Sequence, residues 1–376
     1  AFFADSSAGL VAVFNAITAA AAKGDYATGA PVRGPVAGGN VAGQGKYIIL
    51  SSTEYPDWEG HLYKFDSTKF RDDGNHLPGY RVWDAATLLA ARDTSTRRIY
   101  TWDPTLLHLI EVKSTSLATL QAIEPALTAP VLDFIRGNDG SGVPRTRILG
   151  PLINTVPSIV AGPVFYGQAQ LDFQHPDFEK AYELRRTIIW IGSNDGMLHA
   201  FDFETGEELF ALLPPQLLGT EIQLYDNYFN AVVKSTGQPV GFENIYGVAG
   251  SLRFGDVYFP GVGWRSVGFM TLAEGGDLIA AIDITHPYAG DPTAVPLAIP
   301  PDLNYGVFPP RTGEPADAPV QIIWQKTGAD LPGLGQTWSL PALSARTSDS
   351  WSINFGSGYD TGSVFNGQKA PWVFQL

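Results

Sequence analysis

The most informative part of the sequence reads Ile188-Ile-Trp-Ile-Gly192-Ser-Asn194-Asp195-Gly196-Met-Leu198-His-Ala200-Phe-Asp202-Phe-Glu-Thr205-Gly206-Glu-Glu-Leu-Phe210. It contains three short apolar runs, separated first by an Asn-Asp-Gly turn signal and then by a Thr-Gly turn signal. Short apolar runs bounded by such residues are typical of β-strands joined by tight turns. The pattern predicts strand, hairpin turn, strand, turn, strand, which is most of a four-stranded antiparallel sheet.

A local form of this stretch recurs along the chain. Residues 60–66, 196–202 and 276–283 each start with a turn glycine, continue as a largely apolar run and end at Asp. Recurring units indicate structural repeats, although their spacing is uneven and exceeds the roughly 40 to 50 residues of a regular propeller blade. The sequence therefore predicts a mainly β fold: an incomplete, modified β-propeller of four-stranded antiparallel blades, with a few helices and long insertions.

Composition agrees with many short strands around a real core. The chain has 41 Gly and 28 Pro, 44% hydrophobic residues and only 16% charged residues. Aromatic residues make up 12%, including nine Trp, and rings of that size bury much apolar surface, which offsets the ordering entropy of a loop-rich chain. Disorder is therefore not expected.

Charge and cysteine usage exclude several function classes. The net charge of −14 disfavours binding to nucleic acid or to an anionic membrane surface. The absence of Cys removes disulfides, thiolate metal sites and Cys nucleophiles. The longest apolar candidate for a membrane span, residues 10–22, is shorter than the roughly 20 residues required. We expect an exported protein whose export signal lies outside this segment.

The chain divides into two predicted parts. Residues 1–45 are expected to form an N-terminal helix, over 5–24, and a glycine-rich connector that leads into the propeller. Residues 46–376 are expected to form the partial propeller, with a helical insertion around 84–125 and a proline-rich loop insertion around 287–319.

Candidate metal ligands cluster around the two turns of the 188–210 stretch. Asp195, Asp202 and Glu204, with Glu207 beside them, could supply oxygen ligands to Ca²⁺. The alternative is turn chemistry, because Asn and Asp before Gly suit a hairpin and Asp bonds backbone amides two residues on. The six His residues show no metal-binding spacing, and no nucleophile elbow, Walker loop or Rossmann fingerprint is present.

Several motifs in a fixed order carry a resemblance to a known family. They include Trp58-Glu-Gly60-His-Leu62, Val82-Trp-Asp-Ala-Ala86, the 194–202 unit and Phe355-Gly-Ser-Gly-Tyr-Asp360. In this order they resemble the PilC/PilY family of type IV pilus adhesins over nearly the whole chain. The positions that match the family's blade motif are Gly192, Asn194, Asp195, Gly196, Leu198, Ala200, Asp202, Thr205 and Gly206.

The resemblance implies a non-enzymatic protein at the pilus tip or cell surface. Such a protein supports pilus biogenesis, opposes retraction and contributes to adhesion to a host or abiotic surface, together with minor pilins. The family's later blades hold an EF-hand-like calcium loop, so Ca²⁺ is a possible ligand by resemblance, but the loop is absent from this sequence and no other cofactor is implied. We expect further polypeptide to complete the propeller.

Two alternatives remain open from the sequence. The turn unit also resembles the blades of quinoprotein dehydrogenases, which would make the chain an enzyme. Aromatic residues in the expected insertions could form an adhesion or partner surface, since Tyr is a favoured interface anchor, or could pack between blades. These residues are Tyr225, Tyr228, Phe229, Tyr246 and Tyr258.

Overall fold

The computed structural model describes residues 24–27, 29–33, 45–55, 58–71, 75–163, 174–183, 185–234, 244–286, 311–315, 317–347, 350–359 and 373–376. Nearly all of the predicted helix over 5–24 and of the connector over 34–45 lies outside these residues, as does most of the predicted loop over 287–319.

Four sheets follow one another along the described chain. The first contains β1 (Gly24–Ala27), β2 (Val32–Arg33), β3 (Tyr47–Tyr55), β4 (Glu59–Asp66) and β5 (Arg81–Asp84). The second contains β6 (Ile99–Trp102), β7 (Leu109–Glu111), β8 (Ser158–Val160), β9 (Ile188–Gly192), β10 (Leu198–Asp202) and β11 (Glu208–Leu212). The third contains β12 (Arg253–Phe259), β13 (Gly263–Thr271), β14 (Ile279–Asp283) and β15 (Gln321–Lys326). The fourth contains β16 (Ala342–Thr347), β17 (Ser350–Gly356) and β18 (Val373–Gln375).

Helices occupy a minor share of the described residues. They are α1 (Ala85–Ala91), α2 (Leu117–Gln121), α3 (Ala129–Ile135), α4 (His175–Tyr182) and α5 (Leu218–Lys234), with single 3₁₀ turns at Ser67–Lys69, Thr94–Thr96, Ser114–Ser116 and Pro215–Leu217. None of the described helices is long and apolar enough to cross a membrane. The prediction of a mainly β fold with a few helices and antiparallel sheets is confirmed.

Strand number per sheet differs from the predicted four. The third sheet is a four-stranded antiparallel meander, but the second has six strands in the order β7-β6-β11-β10-β9-β8. The two extra strands come from the segment around 84–125, which was predicted as helical and holds α1 and α2 but also β6 and β7. All four residues of β6 are buried. Pairing in parallel with β11 satisfies the backbone of this apolar segment.

The predicted repeats are equivalent strands. β4, β10 and β14 contain the apolar runs, and each lies between two antiparallel neighbours. The pairing register of all three strands shifts at the same position, between the two residues that precede the terminal Asp. The extra twist of a β-bulge bends the strand, so the repeated sequence encodes a repeated bend.

The terminal Asp of each repeat makes the same two contacts. Its carboxylate accepts a hydrogen bond from the backbone amide two residues on, at 3.1 Å in the first repeat, 2.8 Å in the second and 2.9 Å in the third. It also pairs with a basic side chain near the start of the preceding strand. The pairs are Asp66–Lys46 at 3.0 Å, Asp202–Arg186 at 2.7 Å and Asp283–Arg265 at 3.8 Å.

The sheets stack face to face with a hydrophobic layer at each junction. On β9, Ile189 and Ile191 pack into the layer shared with the first sheet, whereas Ile188 and Trp190 pack into the layer shared with the third. A strand buried on both faces reads as a continuous apolar run, which explains the sequence of β9. A further layer lies between the third and fourth sheets. This stacking is propeller-like.

Backbone hydrogen bonds join neighbouring sheets through the turns at one end. Gly60 donates to Leu149 O at 3.1 Å and Asn194 to Pro151 O at 3.0 Å. Further along the chain, Val248 donates to Ser193 O at 3.0 Å. These contacts require close approach: a Cβ at Gly60 would lie 1.9 Å from the carbonyl oxygen of Gly150. The turns therefore fix the position of each sheet against the next.

Candidate functional site

Four charged side chains form a buried cluster in the second sheet. We call Arg97, Asp195, His199 and Glu208 the buried charge cluster. Arg97 donates two hydrogen bonds to the Glu208 carboxylate, each at 2.8 Å. The His199 ring contacts Glu208 through Nδ1 at 2.8 Å and both oxygens of Asp195 through Nε2 at 3.1 Å. Each ionised group thus has partners of opposite charge, as burial requires.

Three neighbouring parts of the sheet supply these side chains. His199 lies on β10 and Glu208 on the adjacent strand β11. Asp195 lies in the hairpin turn before β10, where its carboxylate also accepts a hydrogen bond from the Gly150 amide at 3.0 Å. Arg97 lies just before β6, the strand that pairs with β11. The six-stranded sheet is therefore what brings Arg97 to the cluster.

The electrostatics of the cluster fix its protonation. Burial alone would raise the pKa of Glu208, but the charge and hydrogen bonds of Arg97 and His199 outweigh burial and hold that pKa far below its usual value. Burial alone would lower the pKa of His199, but Asp195 and Glu208 raise it to about 9. His199 is therefore an imidazolium at neutral pH, bonded through both ring nitrogens and fully buried.

A cavity of about 250 Å³ lies beside the cluster. Its wall includes Asp195 and, from α5, the buried carboxyl group of Glu221. Burial and the nearby Asp195 raise the pKa of Glu221 well above its usual value. Its Oε1 atom has no hydrogen-bond partner among the described residues. The cavity wall thus contains a buried carboxyl group with a raised pKa next to the buried charge cluster.

One basic side chain in the cavity wall packs against aromatic rings. The guanidinium of Arg145 lies 3.9 Å from the centre of the Phe134 ring and donates to the Phe134 carbonyl at 3.0 Å. Burial lowers the pKa of Arg145 to about 10, so it remains charged at neutral pH. The wall of the cavity therefore combines aromatic, cationic and amide groups, the amides being Asn194, Asn227 and Asn244.

The three predicted calcium ligands lie at separate contacts. Asp195 belongs to the buried charge cluster, Asp202 pairs with Arg186 at 2.7 Å, and Glu204 pairs with Lys64 at 3.0 Å. Among the described residues, none of the three is part of a group of three ligand atoms close enough to share an ion. Asp202 also accepts hydrogen bonds from the amides of residues 204 and 205, as the alternative of turn chemistry expects. Calcium binding by these carboxylates stays a prediction.

The predicted aromatic surface residues lie in different environments. Tyr225 and Tyr228 both contact the Phe134 ring, at 5.6 Å and 5.4 Å between ring centres. Tyr258 packs on Trp264 at 5.7 Å, whereas Tyr246 is 39% exposed. The side chain of Phe229 lies outside the described residues. Tyr225, Tyr228 and Tyr258 therefore make ring contacts and Tyr246 is exposed, while the adhesion or partner surface stays a prediction.

Sequence reasoning missed most of the groups that the fold brings together. Arg97 and Arg145 are distant in sequence from the 188–210 stretch, Glu221 follows it on α5, and no local pattern links the three to it. Glu208 follows the Thr-Gly turn, but only the pairing register of β11 shows that its side chain lies next to His199. A second group, Glu54, Glu59 and His61 on the first hairpin, was also missed. The alternation of Glu59 and His61 on one strand was the available signal.

Comparison with known proteins identifies relatives but no matching family model. A type IV pilus biogenesis factor PilY1 homolog of Xylella fastidiosa is 28% identical over 246 residues, which cover 61% of this chain and 16% of that protein. The type IV pilus biogenesis factor PilY1 of Pseudomonas aeruginosa is 26% identical over 326 residues, which cover 81% of this chain and 24% of that protein. This chain is related to the PilY family.

The match places this PilY-related chain within much larger relatives, since it spans about a sixth to a quarter of their length. A crystal structure of the Pseudomonas aeruginosa PilY1 C-terminal domain matches with a TM-score of 0.37 and 21% identity, covering 58% of this chain and 34% of that chain. A match at this score does not bear on the fold described above. The predicted family resemblance is confirmed by the two sequence relatives.

Proposed function

We propose that this chain is a non-enzymatic, propeller-like part of a type IV pilus biogenesis factor, acting outside the cell at the pilus tip or cell surface. The names of its relatives, type IV pilus biogenesis factors, are the observation that carries the pilus role. Within that role, the chain supports assembly of the filament with minor pilins, opposes its retraction and contributes to surface adhesion.

The state of His199 supports the absence of catalysis at this site. A histidine that acts as a general base must be unprotonated and able to reach a substrate. His199 is charged at neutral pH, uses both ring nitrogens and is 0% exposed. Asp195 and Glu208 are likewise engaged by cationic partners. The cluster therefore has a structural role: its ion pairs link the start of β6 to β10 and β11.

The way in which the sheets are joined suits a protein that bears load. A retracting filament pulls on whatever caps its tip. Here the sheets are linked through apolar layers and through backbone hydrogen bonds between their turns. Such contacts resist separation together rather than one at a time. Adhesion would then fall to exposed loops, since rigid elements position recognition loops.

The experiment that tests the pilus role uses the full-length protein in its own host. Removing the segment that corresponds to this chain should abolish twitching motility and surface pili. If the segment opposes retraction, inactivating the retraction motor in the same strain should restore surface pili. Surface pili and motility at wild-type levels after the deletion would refute the proposal.

Adhesion is tested separately at the predicted loop insertion. Replacing residues 287–319 by a short linker should spare folding, measured by circular dichroism, and should reduce attachment to abiotic surfaces or host cells. Substituting the exposed Tyr246 by Ser in the intact chain is the matched test of an aromatic contact. Unchanged attachment in both variants would remove adhesion from the proposed role.

The quinoprotein alternative predicts a different result. Its support is the Gly-Ser-Asn-Asp-Gly turn, which resembles the blades of quinoprotein dehydrogenases, and the cavity beside that turn. Incubation of the chain with a pyrroloquinoline cofactor and Ca²⁺ should then give dye-linked alcohol oxidation. We expect no oxidation above that of the cofactor alone.

A further inference from the structure

The hairpin of β3 and β4 places three metal-ligating side chains on one face. Glu54 and Glu59 are directly opposite each other across the hairpin, and Ser52 is opposite His61. Residues 59 and 61 are two apart on one strand, so their side chains point to the same face as that of Glu54. One ligand atom from each of Glu54, Glu59 and His61 lies within 4.8 Å of the other two.

The His61 ring is held in the orientation that a metal ligand needs. Its Nδ1 atom lies 3.0 Å from Oδ2 of Asp84. A carboxylate only accepts hydrogen bonds, so Nδ1 carries a proton and Nε2 is the ring nitrogen that would coordinate a metal. Nε2 lies on the side of Glu54, 3.9 Å from its carboxylate. A carboxylate that orients a histidine in this way is the usual outer partner of a metal-bound imidazole.

Both the ring and its orienting carboxylate are fixed by other contacts. Asp84 precedes α1, accepts a hydrogen bond from the Ala86 amide at 3.1 Å and one from the Thr87 hydroxyl at 2.9 Å. The His61 ring stacks on Tyr63 with 5.4 Å between ring centres and an angle of 6° between the planes. The imidazole is therefore preorganised before any ligand arrives.

Three carboxylates lie close together around this face. Glu54 and Glu59 are like charges in directly opposed positions, which destabilises a strand pair, and Asp84 adds a third carboxylate. Arg147 compensates in part, with its Nε atom 3.1 Å from Glu59. A divalent cation between the two Glu side chains would relieve this repulsion.

We propose that Glu54, Glu59 and His61 form a binding site for a divalent transition metal, with Zn²⁺ as the best match. Imidazole nitrogen and carboxylate oxygen are both ligand types that zinc accepts, and water can complete its four-coordinate shell. Ca²⁺ is a poorer match because it prefers six to eight oxygen ligands. The site does not depend on the proposed pilus function.

Binding requires only small movements of the side chains. Zinc bonds of about 2.0 to 2.2 Å in a tetrahedral arrangement bring ligand atoms to about 3.3 Å from one another. The side chains of Glu54, Glu59 and His61 are 25%, 16% and 14% exposed, so the glutamates can change rotamer and solvent can supply the remaining ligand. A bound ion would tie the two strands of the hairpin together beside the cavity, whose wall includes Glu59.

The experiment is a zinc titration of the chain by isothermal calorimetry with a competing chelator. We expect one ion per chain with a Kd in the micromolar range or tighter, and binding of Ca²⁺ at least 100-fold weaker. His61→Gln should weaken zinc binding by at least 100-fold. Asp84→Asn, which removes the orienting carboxylate, should weaken it by about 10-fold to 100-fold. His76→Gln, at an exposed histidine of the same sheet region, is the matched control and should bind as the unmodified chain does.

Cobalt substitution gives a readout that does not rely on variants. Co²⁺ bound by one imidazole and two carboxylates should give visible absorption bands that zinc displaces with 1:1 stoichiometry. The proposal is overturned if the unmodified chain shows neither saturable zinc binding nor these bands. It is also overturned if His61→Gln, folded by circular dichroism, binds zinc as tightly as His76→Gln.

Discussion

Two histidines of this chain, His199 and His61, each lie among carboxylates but in opposite situations. His199 is fully buried, with both ring nitrogens bonded to carboxylates and a pKa raised to about 9. His61 has one nitrogen bonded to Asp84 and the other turned toward two glutamates near solvent. The same residue types thus form a closed cluster in one region, the buried charge cluster, and an open cluster in the other, made of Glu54, Glu59 and His61.

The difference shows what burial does to a polar cluster. A buried ion pair that loses one member leaves the other charge without compensation in a low-dielectric environment, so every member of the closed cluster matters for stability. A cluster near solvent can retain repulsion, because water screens it. We therefore expect changes at the closed cluster to affect stability, and changes at the open cluster to affect binding.

The largest effect should come from Glu208→Gln. The substitution leaves Arg97 and His199 as cations without their shared carboxylate and should lower the free energy of unfolding by about 3 to 5 kcal/mol, measured by urea denaturation. Glu207→Gln, at the neighbouring exposed position, should change it by less than about 0.5 kcal/mol. Glu54→Gln should be near neutral or stabilising. Equal losses of unfolding free energy from Glu208→Gln and Glu54→Gln would contradict the expectation that only the closed cluster is needed for stability.

The pH dependence of stability should report His199. Its pKa rises from 6.5 to about 9 on folding, so the stabilisation is fully present below about pH 6.5 and is lost as the pH rises to about 9. The loss should be on the order of 3 kcal/mol, measured by denaturation at a series of pH values. His76→Gln should keep this decline and His199→Gln should flatten it. A flat profile between pH 6.5 and 9 in the unmodified chain would contradict the closed cluster.

Gly60→Ala should show how the open cluster is held in place. The added methyl group would lie 1.9 Å from the Gly150 carbonyl oxygen, so the hairpin must move away from the neighbouring turn. We expect a loss of about 2 kcal/mol and weaker zinc binding. Gly219→Ala is the control, because only the tip of the Glu124 side chain is near; a helix should accept Ala there. Equal stability of the two variants would mean that the turn contact is dispensable.

The smallest effects should come from the terminal Asp of the repeats. Asp202→Asn and Asp66→Asn keep the acceptor for the turn amide but lose the charge that faces Arg186 or Lys46. Each should cost less than Glu208→Gln in thermal or urea denaturation, with Asp226→Asn at an exposed position of α5 as the neutral control. Equal costs of Asp202→Asn and Asp66→Asn would show that the repeated ion pair contributes equally in the second and first sheets. The difference between those sheets would then lie in their charge clusters alone. A loss confined to one repeat would show that the ion pairs are not equivalent.

Local patterns in the sequence predicted a large part of the fold. The 188–210 stretch predicted β9, β10 and β11 with the two turns between them, because turn residues with positive φ such as Gly196 and Gly206 are encoded locally. The helix α1 falls within the predicted helical insertion around 84–125, and the structure shows that Asp84 caps it locally. The strands β6 and β7 within the predicted helical insertion were missed, because their pairing depends on β11 more than 100 residues away.

The sequence alone determined the strand pattern, the repeats and the relation to the PilY family, since turn chemistry and apolar periodicity act between residues that are close along the chain. Only the tertiary structure decided that His199 is enclosed and charged while His61 faces two glutamates. The physical reason is that pKa, burial and metal affinity depend on which groups meet in space. In this chain those groups come from strands and turns that are joined only by long-range pairing.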